Sequence, residues 1–254
     1  MALNLIILGP PGAGKGTQAE RVARACGIPK TSTGDILREA VQDATELGRC
    51  VKAIMDRGEL VGDDLIISIV RDRLAREDAL GGFVLDGFPR TVAQASALDA
   101  MLDGRGPLVV LDIVVPESEL VRRLASRRIC EACGANAENG GEEAVAAADT
   151  VVLPAAASAV SLEGRTAAQS QAEPARCRRC GGRLVQRPDD SADVVRERLK
   201  VYQRRTEPLV EYYRQRPTFR RIDGAAPPDH VAAELAAAIE SVASGLAAPE
   251  GVGQ

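Results

Sequence analysis

The feature that most constrains the fold of this chain is a glycine-rich loop near its amino terminus, GPPGAGKGT at positions 9–17. The loop directly follows the apolar run Leu3–Leu8, which predicts a buried β-strand. The residues from Lys15 to Cys26 then show a helical pattern. A buried strand that turns sharply into a helix is typical of parallel sheets covered by helices. We therefore expect an α/β fold.

The same loop predicts a binding site for phosphate groups. Its glycines let the backbone turn N–H groups inward, and the amino terminus of the following helix adds positive potential. Lys15 adds a mobile charge for the outer phosphates. The common P-loop pattern has Ser or Thr directly after the lysine as a magnesium ligand, whereas Gly16 stands here and Thr17 follows. This departure argues against a GTPase or a motor ATPase.

Strand and helix patterns alternate along most of the chain. The apolar runs Phe83–Leu85, Leu108–Val114 and Phe219–Ile222 predict further strands. Further helices are predicted from after Arg90 to about Met101, over Glu117–Arg128, over Ser191–Tyr213 and over Pro228–Ala243. This alternation predicts a doubly wound sheet of about five parallel strands, with the binding site at their carboxyl ends.

The composition argues against several kinds of partner. The formal net charge of −4 gives no global attraction to nucleic acid, and aromatic residues, at 2% of the chain, are too few to stack on bases. No apolar run approaches the ~18–20 residues that span a bilayer, and Leu3–Leu8 lacks the basic leader of a signal peptide. We therefore expect a cytoplasmic protein without nucleic-acid or membrane partners.

Two stretches stand outside the strand–helix alternation. Thr31–Val61 is mainly helical in pattern and is expected to fold over the sheet as a small subdomain. Residues 129–186 show neither a long helix nor a long strand, and they contain four of the six cysteines. Within them, positions 134–176 are rich in alanine and lack aromatic residues, a composition that buries little surface. This insert is expected to be mobile or disordered.

Four cysteines form two CxxCG motifs, at 130–134 and 177–181. In a reducing compartment, paired cysteines bind metal more often than they form disulfides. Four thiolates saturate a tetrahedral Zn²⁺ and leave no position for water, so the site is expected to be structural. The insert makes the separation longer than the usual ~15–20 residues, but each doubling of a flexible loop costs only about 0.6 kcal/mol. The predicted ligands are Cys130, Cys133, Cys177 and Cys180. Four unconnected thiols are the alternative, and Cys26 and Cys50 are expected to be buried apolar residues.

Several further motifs occur in an order that resembles the adenylate kinase family. They are TSTGDILR at 31–38, LDGFPRT at 85–91 with Gln94, the pair Arg123 and Arg127, and RPDD at 187–190 followed by Arg198. With the glycine loop they cover most of the chain outside the insert, which is more specific than a phosphate loop alone. Phosphoryl transfer relies on positioning and charge neutralisation, and the chain offers arginines for both.

The resemblance implies a P-loop NTPase fold with a helical flap that binds the nucleoside monophosphate (NMP) and a zinc-bearing lid. It divides the chain into a core of residues 1–30, 62–127 and 188–245, an NMP-binding subdomain of residues 31–61, a lid of residues 128–187 with the insert at 134–176, and a tail of residues 246–254.

The resemblance also assigns residues to the two nucleotides. For ATP they are Gly12, Ala13, Gly14, Lys15, Gly16, Thr17, Arg123, Arg127 and the carbonyl of Ala226. For AMP they are Thr33, Arg38, Glu59, Leu60, Val61, Gly87, Phe88, Pro89, Arg90, Gln94, Arg187 and Arg198. The catalytic set is Lys15, Arg90, Arg123, Arg127, Arg187, Arg198 and Asp86. Asp86 would organise Mg²⁺ through water, and Asp189 and Asp190 would orient the arginines. Because Arg123 and Arg127 are four residues apart, a helix would place them on one face.

The implied activity is reversible, Mg²⁺-dependent phosphoryl transfer from ATP to AMP, which yields two ADP, with closure of the lid over the phosphates. We expect a monomer that serves nucleotide biosynthesis. A kinase of CMP or UMP remains an alternative, because base choice depends on few contacts, although Thr33 and Gln94 favour adenine. Less favoured are a nucleotide-binding protein without turnover and a zinc ribbon that binds nucleic acid through Arg178, Arg179 and Arg183.

Overall fold

The computed structural model describes residues 2–134, 136–137 and 176–247. The predictions for the insert at 134–176 and for the tail at 246–254 therefore fall mostly outside the described residues. The chain forms two compact units, of which the larger comprises Met1–Ser126 with Arg187–Gln254 and the smaller comprises Arg127–Gln186.

The larger unit is built on a five-stranded parallel sheet. The described strands of both units, in chain order, are β1 (Leu3–Leu8), β2 (Lys30–Ser32), β3 (Gly82–Asp86), β4 (Leu108–Val114), β5 (Ile129–Cys130), β6 (Leu184–Val185) and β7 (Phe219–Asp223). Strands β5 and β6 belong to the smaller unit. The parallel sheet has the order β2-β3-β1-β4-β7. Strand β1 therefore lies at its centre, and the glycine loop leaves the carboxyl edge between β3 and β4. The predicted fold class is confirmed. Only β2 was missed, because it is three residues long and borders a helical stretch.

The helices of the larger unit are α1 (Lys15–Cys26), α2 (Thr33–Gln42), α3 (Glu46–Asp56), α4 (Asp63–Leu74), α5 (Val92–Met101), α6 (Glu117–Ser126), α7 (Ala192–Val201), α8 (Pro208–Tyr213) and α9 (Pro228–Ala247). Hydroxyl side chains cap three of them: Ser32, Thr45 and Thr91 accept the N–H groups of Asp35, Gly48 and Gln94. Within the described residues, no helix combines the length and the apolar character needed to cross a membrane.

Each face of the sheet carries its own apolar core, because the side chains of each strand alternate between the two faces. Leu5 and Ile7 of β1 contribute to the core that packs α1, α6, α7 and α9. Ile6 and Leu8 contribute to the other core, which packs α2, α3, α4, α5 and α8. The buried strands hold the carboxyl edge of the sheet rigid, and the site lies at that edge.

Three helix predictions differ from the structure: α9 extends to Ala247 and not to Ala243, α6 ends early, and the long helix Ser191–Tyr213 is interrupted. Helix α6 ends at Ser126 and not at Arg128, since the Ser126 hydroxyl donates to the carbonyls of Arg122 and Arg123 and satisfies them there. Arg127 is therefore outside α6, the first residue after its end.

The predicted long helix Ser191–Tyr213 is interrupted. A π-helical segment, Tyr202–Thr206, separates α7 from α8, which begins at Pro208. Proline lacks an N–H group and clashes with the carbonyl four residues earlier, so a regular α-helix does not continue through it. The π-helical segment therefore lies directly before the residue pair Glu207–Pro208, at which the regular helix is interrupted.

The smaller unit contains the antiparallel pair β5 and β6, with Ile129 opposite Val185 and Cys130 opposite Leu184. Isolated bridges, Ile129 with Asn136 and Arg176 with Arg183, extend this pairing. The described part of this unit brings the two CxxCG motifs together.

Candidate active site

The glycine loop bends tightly against β4. Gly9 has φ 139°, and a Cβ atom there would lie 2.6 Å from the carbonyl oxygen of Ile113, so a larger residue does not fit. Gly14 precedes the first turn of α1, so the amino terminus of that helix faces the loop. The Nζ atom of Lys15 donates to the carbonyl oxygens of Gly9 and Pro10, both at 2.8 Å. The loop thus keeps the ammonium group close to the amino terminus of α1, where positive potential favours an anion.

The position of Asp86 explains the unusual Gly16. Asp86 ends β3, the strand beside β1, and a Cβ atom at Gly16 would lie 3.2 Å from its Oδ2 atom. The carboxylate therefore occupies the space that a Ser or Thr side chain would take in the common P-loop pattern. A carboxylate, the type of oxygen donor that Mg²⁺ prefers, thus lies at this edge at the end of β3.

Three guanidinium groups, those of Arg38, Arg90 and Arg198, influence one another electrostatically. Arg198 and Arg38 lower the pKa of Arg90, while Asp86 and Asp189 raise it. Burial has the largest effect, and the net result is a pKa of about 10. A positive charge that is partly buried beside two like charges favours an anionic ligand, which would relieve both the desolvation and the repulsion.

Main-chain contacts fix Arg90 in place. Its Nε atom donates to the carbonyl of Gly87 at 2.8 Å, and its backbone N–H donates to Oε1 of Gln94 at 2.8 Å. Its carbonyl accepts the hydroxyl of Thr206 at 2.9 Å. Thr206 belongs to the π-helical segment, so the interruption of the predicted helix brings a buried hydroxyl to this arginine.

One cavity of the larger unit collects most of the residues that were predicted for AMP. Its lining includes Thr33, Arg38, Glu59, Leu60, Val61, Gly87, Pro89, Arg90, Gln94 and Arg198, together with Lys15. Thr33 and Gln94 are 3% and 2% exposed, which means that their polar groups are desolvated. Phe88 packs instead in the core beneath the cavity, at 1% exposure. Arg187 was also predicted to bind AMP, but it is not among the described residues that line the cavity.

Acidic residues orient Arg198, as the sequence predicted for Asp189 and Asp190. The Nη1 atom of Arg198 lies 2.9 Å from Oδ2 of Asp189 and 3.0 Å from Oδ1 of Asp190, which is fully buried. Arg187 directly precedes the short 3₁₀ turn that carries these two acids. The turn and α7 therefore hold one side of the cavity.

Arg123 lies beside the turn that contains Ala226. Its Nη1 atom donates to the carbonyl of Gly224 at 2.9 Å, and its Nε atom donates to Glu119 at 2.7 Å. Hydrogen bonds from Arg122 and Arg123 lower the pKa of Glu119 to about 2, so this carboxylate stays charged and keeps Arg123 in place. Arg127, which was predicted to act with Arg123, belongs to the smaller unit.

In the smaller unit, the four predicted metal ligands form one cluster. The sulfur atoms of Cys130, Cys133, Cys177 and Cys180 all lie within 4.8 Å of one another. The Cys130–Cys180 pair is 3.4 Å apart and the Cys133–Cys177 pair 3.7 Å apart. Tetrahedral zinc with Zn–S bonds of about 2.3 Å requires S···S distances of about 3.8 Å, so the cluster fits that ion.

The two CxxCG turns have the geometry of metal-binding knuckles. The N–H groups of Gly134 and Gly181 donate to the carbonyls of Cys130 and Cys177 at 2.9 and 2.8 Å, and both glycines have positive φ angles. Backbone hydrogen bonds from Cys133 and Ala132, with a bond to Cys180, lower the pKa of the Cys130 thiol to about 7. The thiolate form of Cys130 is thus favoured even without a bound cation.

The prediction for the other two cysteines is wrong, because Cys26 and Cys50 are both exposed. Cys26 lies at the end of α1, and Cys50 lies on a solvent-facing side of α3. The exposure of these two cysteines depends on where each lies on its helix, and the apolar character of the cysteine side chain does not determine it.

Comparisons with known proteins bear on this geometry. The adenylate kinase family model matches residues 7–218, which include every motif from the glycine loop to Arg198. A curated adenylate kinase from Archaeoglobus fulgidus is 45% identical over 95% of this chain and 100% of its own length. Adenylate kinases from Caldicellulosiruptor bescii and Rhizobium etli are 44% and 41% identical over 84% and 94% of this chain, which is 87% and 100% of their own lengths.

This chain belongs to the adenylate kinase family. The family and its named members support phosphoryl transfer from ATP to AMP, so the predicted enzyme activity is confirmed, with ATP, AMP and ADP as substrates. Adenylate kinases use ATP with Mg²⁺, and the Asp86 carboxylate beside the glycine loop has the donor chemistry for that ion.

Three residues that support this adenylate kinase site were not predicted from the sequence. Asp63 accepts a hydrogen bond from Gln94, and Thr206 donates one to Arg90. Asp112 is 2% exposed at the end of β4, where burial raises its pKa and the charges of Arg221 and Lys15 lower it. For Asp112 the available signal was an acid within the apolar run LVVLDIV. For Asp63 the local sequence gave no such signal, because α4, which it begins, was not among the predicted helices.

Proposed function

We propose that the cavity of the larger unit is the AMP site. Arg38, Arg90 and Arg198 would hold the acceptor phosphate, while Thr33, Gln94 and the backbone of residues 59–61 would line the adenine. The observation that carries this proposal is the half-buried Arg90, whose charge interacts with those of Arg38 and Arg198, in a cavity that Gln94 also lines. Bidentate arginine contacts suit a phosphate, and an amide suits a base edge.

The glycine loop would hold the phosphates of ATP through residues 12–17, and Lys15 would neutralise their charge. Its ammonium group has three donors, so it can exchange the carbonyls of Gly9 and Pro10 for phosphate oxygens. Arg123 and the carbonyl of Ala226 would contact the base. Mg²⁺ bound near Asp86 would supply further neutralisation of the phosphate charge.

Transfer of the phosphoryl group needs little covalent help from the protein. Lys15, Arg90 and Arg198 place positive charge around one cavity, where developing charge on the transferred group is stabilised without reorganisation. Arg187, which directly precedes the acidic turn, and Arg127 of the smaller unit would add to this set. We assign residues 128–187 as a lid and residues 31–61 as a flap that exclude water from the phosphates, since water would otherwise accept the phosphoryl group.

The cysteine cluster would hold one structural Zn²⁺, because four thiolates complete its coordination. The monomeric state and the cytoplasmic location remain predictions from the sequence.

The test of the AMP site is the substitution Arg90→Ala. It should lower turnover by about three orders of magnitude, since each preorganised charge at a phosphoryl-transfer site contributes about 10²–10³-fold. Thermal unfolding should show that the fold persists. The control is Arg204→Ala, because Arg204 is exposed on the π-helical segment and should be dispensable. Near-normal turnover of Arg90→Ala would remove the assignment.

A further inference from the structure

A carboxylate without an assigned role contacts the amide of Gln94 from outside the cavity. Asp63 begins α4, and its Oδ1 atom accepts a hydrogen bond from Nε2 of Gln94 at 2.7 Å. Its Oδ2 atom accepts the hydroxyl of Thr91 at 2.9 Å. Thr91 is also the cap of α5, the helix that carries Gln94. Gln94 lines the cavity, whereas Asp63 and Thr91 are absent from its lining among the described residues.

These contacts determine which way the amide of Gln94 points. A carboxylate only accepts hydrogen bonds, so the group that faces Asp63 must be the NH₂. The backbone N–H of Arg90 only donates, and it faces the other side of the amide at 2.8 Å, so that side must be the oxygen. A flipped amide would place its oxygen against the carboxylate and its NH₂ against an N–H. Because Gln94 is 2% exposed, water would not relieve either mismatch.

The fixed amide keeps one donor and one acceptor for a ligand. Nε2 has two hydrogens and gives one to Asp63, and Oε1 has two lone pairs and uses one for Arg90. The second N–H of Nε2 and the second lone pair of Oε1 match a base edge that offers a ring nitrogen acceptor and an exocyclic amine, as adenine does. Hypoxanthine has the opposite pattern at the same two positions, with a carbonyl oxygen and a ring N–H. Only a flipped amide would match it.

We propose that Asp63 is a positioning residue that makes the enzyme select 6-amino over 6-oxo purine monophosphates by fixing the orientation of the Gln94 amide. Asp63 itself does not touch the base. The inference depends on the proposed AMP site, because it requires the base edge to meet Gln94. It also supplies a physical reason for base choice, because the Asp63 carboxylate adds to the N–H of Arg90 in disfavouring the flipped amide, which would accept the other pattern.

The experiment compares AMP and IMP as acceptors at saturating ATP and Mg²⁺ in the wild type and in Asp63→Asn. The asparagine has nearly the same shape, but it can donate to a flipped Gln94 as well as accept from an unflipped one. The ratio of kcat/KM for AMP to that for IMP should fall about tenfold, as expected when a hydrogen bond to a charged group no longer discriminates. The change should appear mainly in a lower KM for IMP, while kcat with AMP is retained.

The control is Asp64→Asn, which removes the same charge from the same first turn of α4 at an exposed position. It should leave the ratio unchanged. Asp63→Ala is the second variant, and because the ratio is measured within one preparation, a loss of folded protein cancels from it.

A third variant, Gln94→Leu, separates the two proposals. If it lowers kcat/KM for AMP while Asp63→Asn and Asp63→Ala both keep the wild-type ratio, the role of Asp63 is refuted and the AMP site stands. If Gln94→Leu leaves kcat/KM for AMP unchanged, the base does not meet this amide and both proposals fail.

Discussion

The immediate surroundings of Arg90 determine both its pKa and its position. Burial and the charges of Arg198 and Arg38 lower its pKa to about 10, which still leaves it protonated at neutral pH. The carbonyl of Gly87, the amide of Gln94 and the hydroxyl of Thr206 hold it in one position. A phosphate that approaches this residue meets a charge that is already oriented, so little of the binding energy is lost to ordering it.

At the residue scale, Gly16→Ala tests whether the space beside Asp86 matters for catalysis. The added methyl group would lie 3.2 Å from Oδ2 of Asp86, closer than ordinary contact, and should displace the carboxylate. We expect turnover to fall about tenfold, a displacement effect typical of misplaced catalytic groups. The melting temperature should stay the same or rise, since alanine is favoured over glycine in a helix by up to about 1 kcal/mol.

The matched control for Gly16 is Gly81→Ala, where a Cβ atom would meet no atom within 4 Å. Unchanged turnover in Gly16→Ala would show that Asp86 tolerates the displacement or takes no part in the reaction.

Contacts between helices connect the cavity to the remainder of the larger unit. The π-helical segment brings Thr206 to Arg90, and α8 begins directly after it at Pro208. At the end of α8, Tyr212 donates to Asp99 of α5 at 2.7 Å, and Arg216 donates to the same carboxylate at 2.9 and 2.6 Å. The guanidinium of Arg216 also lies 4.4 Å from the ring centre of Tyr213. This cluster fixes the far end of α8 against the helix that carries Gln94.

At the element scale, Asp99→Asn should destabilise the fold by about 1–2 kcal/mol, because it weakens charged hydrogen bonds that are only partly exposed. Burial by itself raises the pKa of Asp99, but hydrogen bonds from Arg216 and Tyr212 outweigh it and leave the pKa below its usual value. A carboxylate with a lowered folded-state pKa stabilises the protein above its unfolded pKa of about 3.9 and loses that effect as the pH falls. The difference in stability between wild type and variant should therefore shrink below about pH 4.

Denaturant unfolding at several pH values measures this difference, and turnover should be unaffected at neutral pH. The exposed Asp103 provides the control, because Asp103→Asn should leave stability nearly unchanged at every pH. A constant difference between wild type and Asp99→Asn down to pH 3 would contradict the assigned role of the carboxylate.

On the scale of the whole molecule, the two units are stabilised by different kinds of interaction. The larger unit has a parallel sheet with an apolar core on each face. The described part of the smaller unit has one antiparallel pair of two-residue strands and the cysteine cluster. A short sheet of this kind is not stable by itself, so a bound ion would contribute much of its folding energy.

Removal of metal should therefore destabilise the smaller unit first. We expect one Zn²⁺ per chain by elemental analysis of protein purified without chelator, and a lower thermal transition after chelation. Turnover should decrease but not vanish, since no water is bound to the ion when four thiolates hold it. Cys177→Ser should reproduce the effect of chelation, and Cys50→Ser, at an exposed position outside the cluster, should not.

Two results would contradict this role. Protein that contains no stoichiometric metal would refute the site. Immediate and complete loss of turnover in folded, metal-free protein would show that the ion takes part in the chemistry.

The sequence by itself determined the features whose physics is local. The strand, glycine loop and helix of residues 3–26 follow from an apolar run, backbone freedom and helical periodicity, so their bounds were predicted correctly. The CxxCG motifs define their own turns, and the structure brings their four sulfur atoms together as predicted. The alternation of strands and helices was enough for the fold class, because parallel strands require covering helices.

Only the tertiary structure decided contacts between distant parts of the chain. Asp63 meets Gln94 across 31 positions and Thr206 meets Arg90 across 116, and neither pairing leaves a pattern in the local sequence. The exposure of Cys26 and Cys50 likewise depends on which helix face meets the sheet. Periodicity shows that a helix has an apolar face, but packing selects the neighbours of each polar group. The orientation of the Gln94 amide, on which the proposed base selection depends, is therefore a property of the fold.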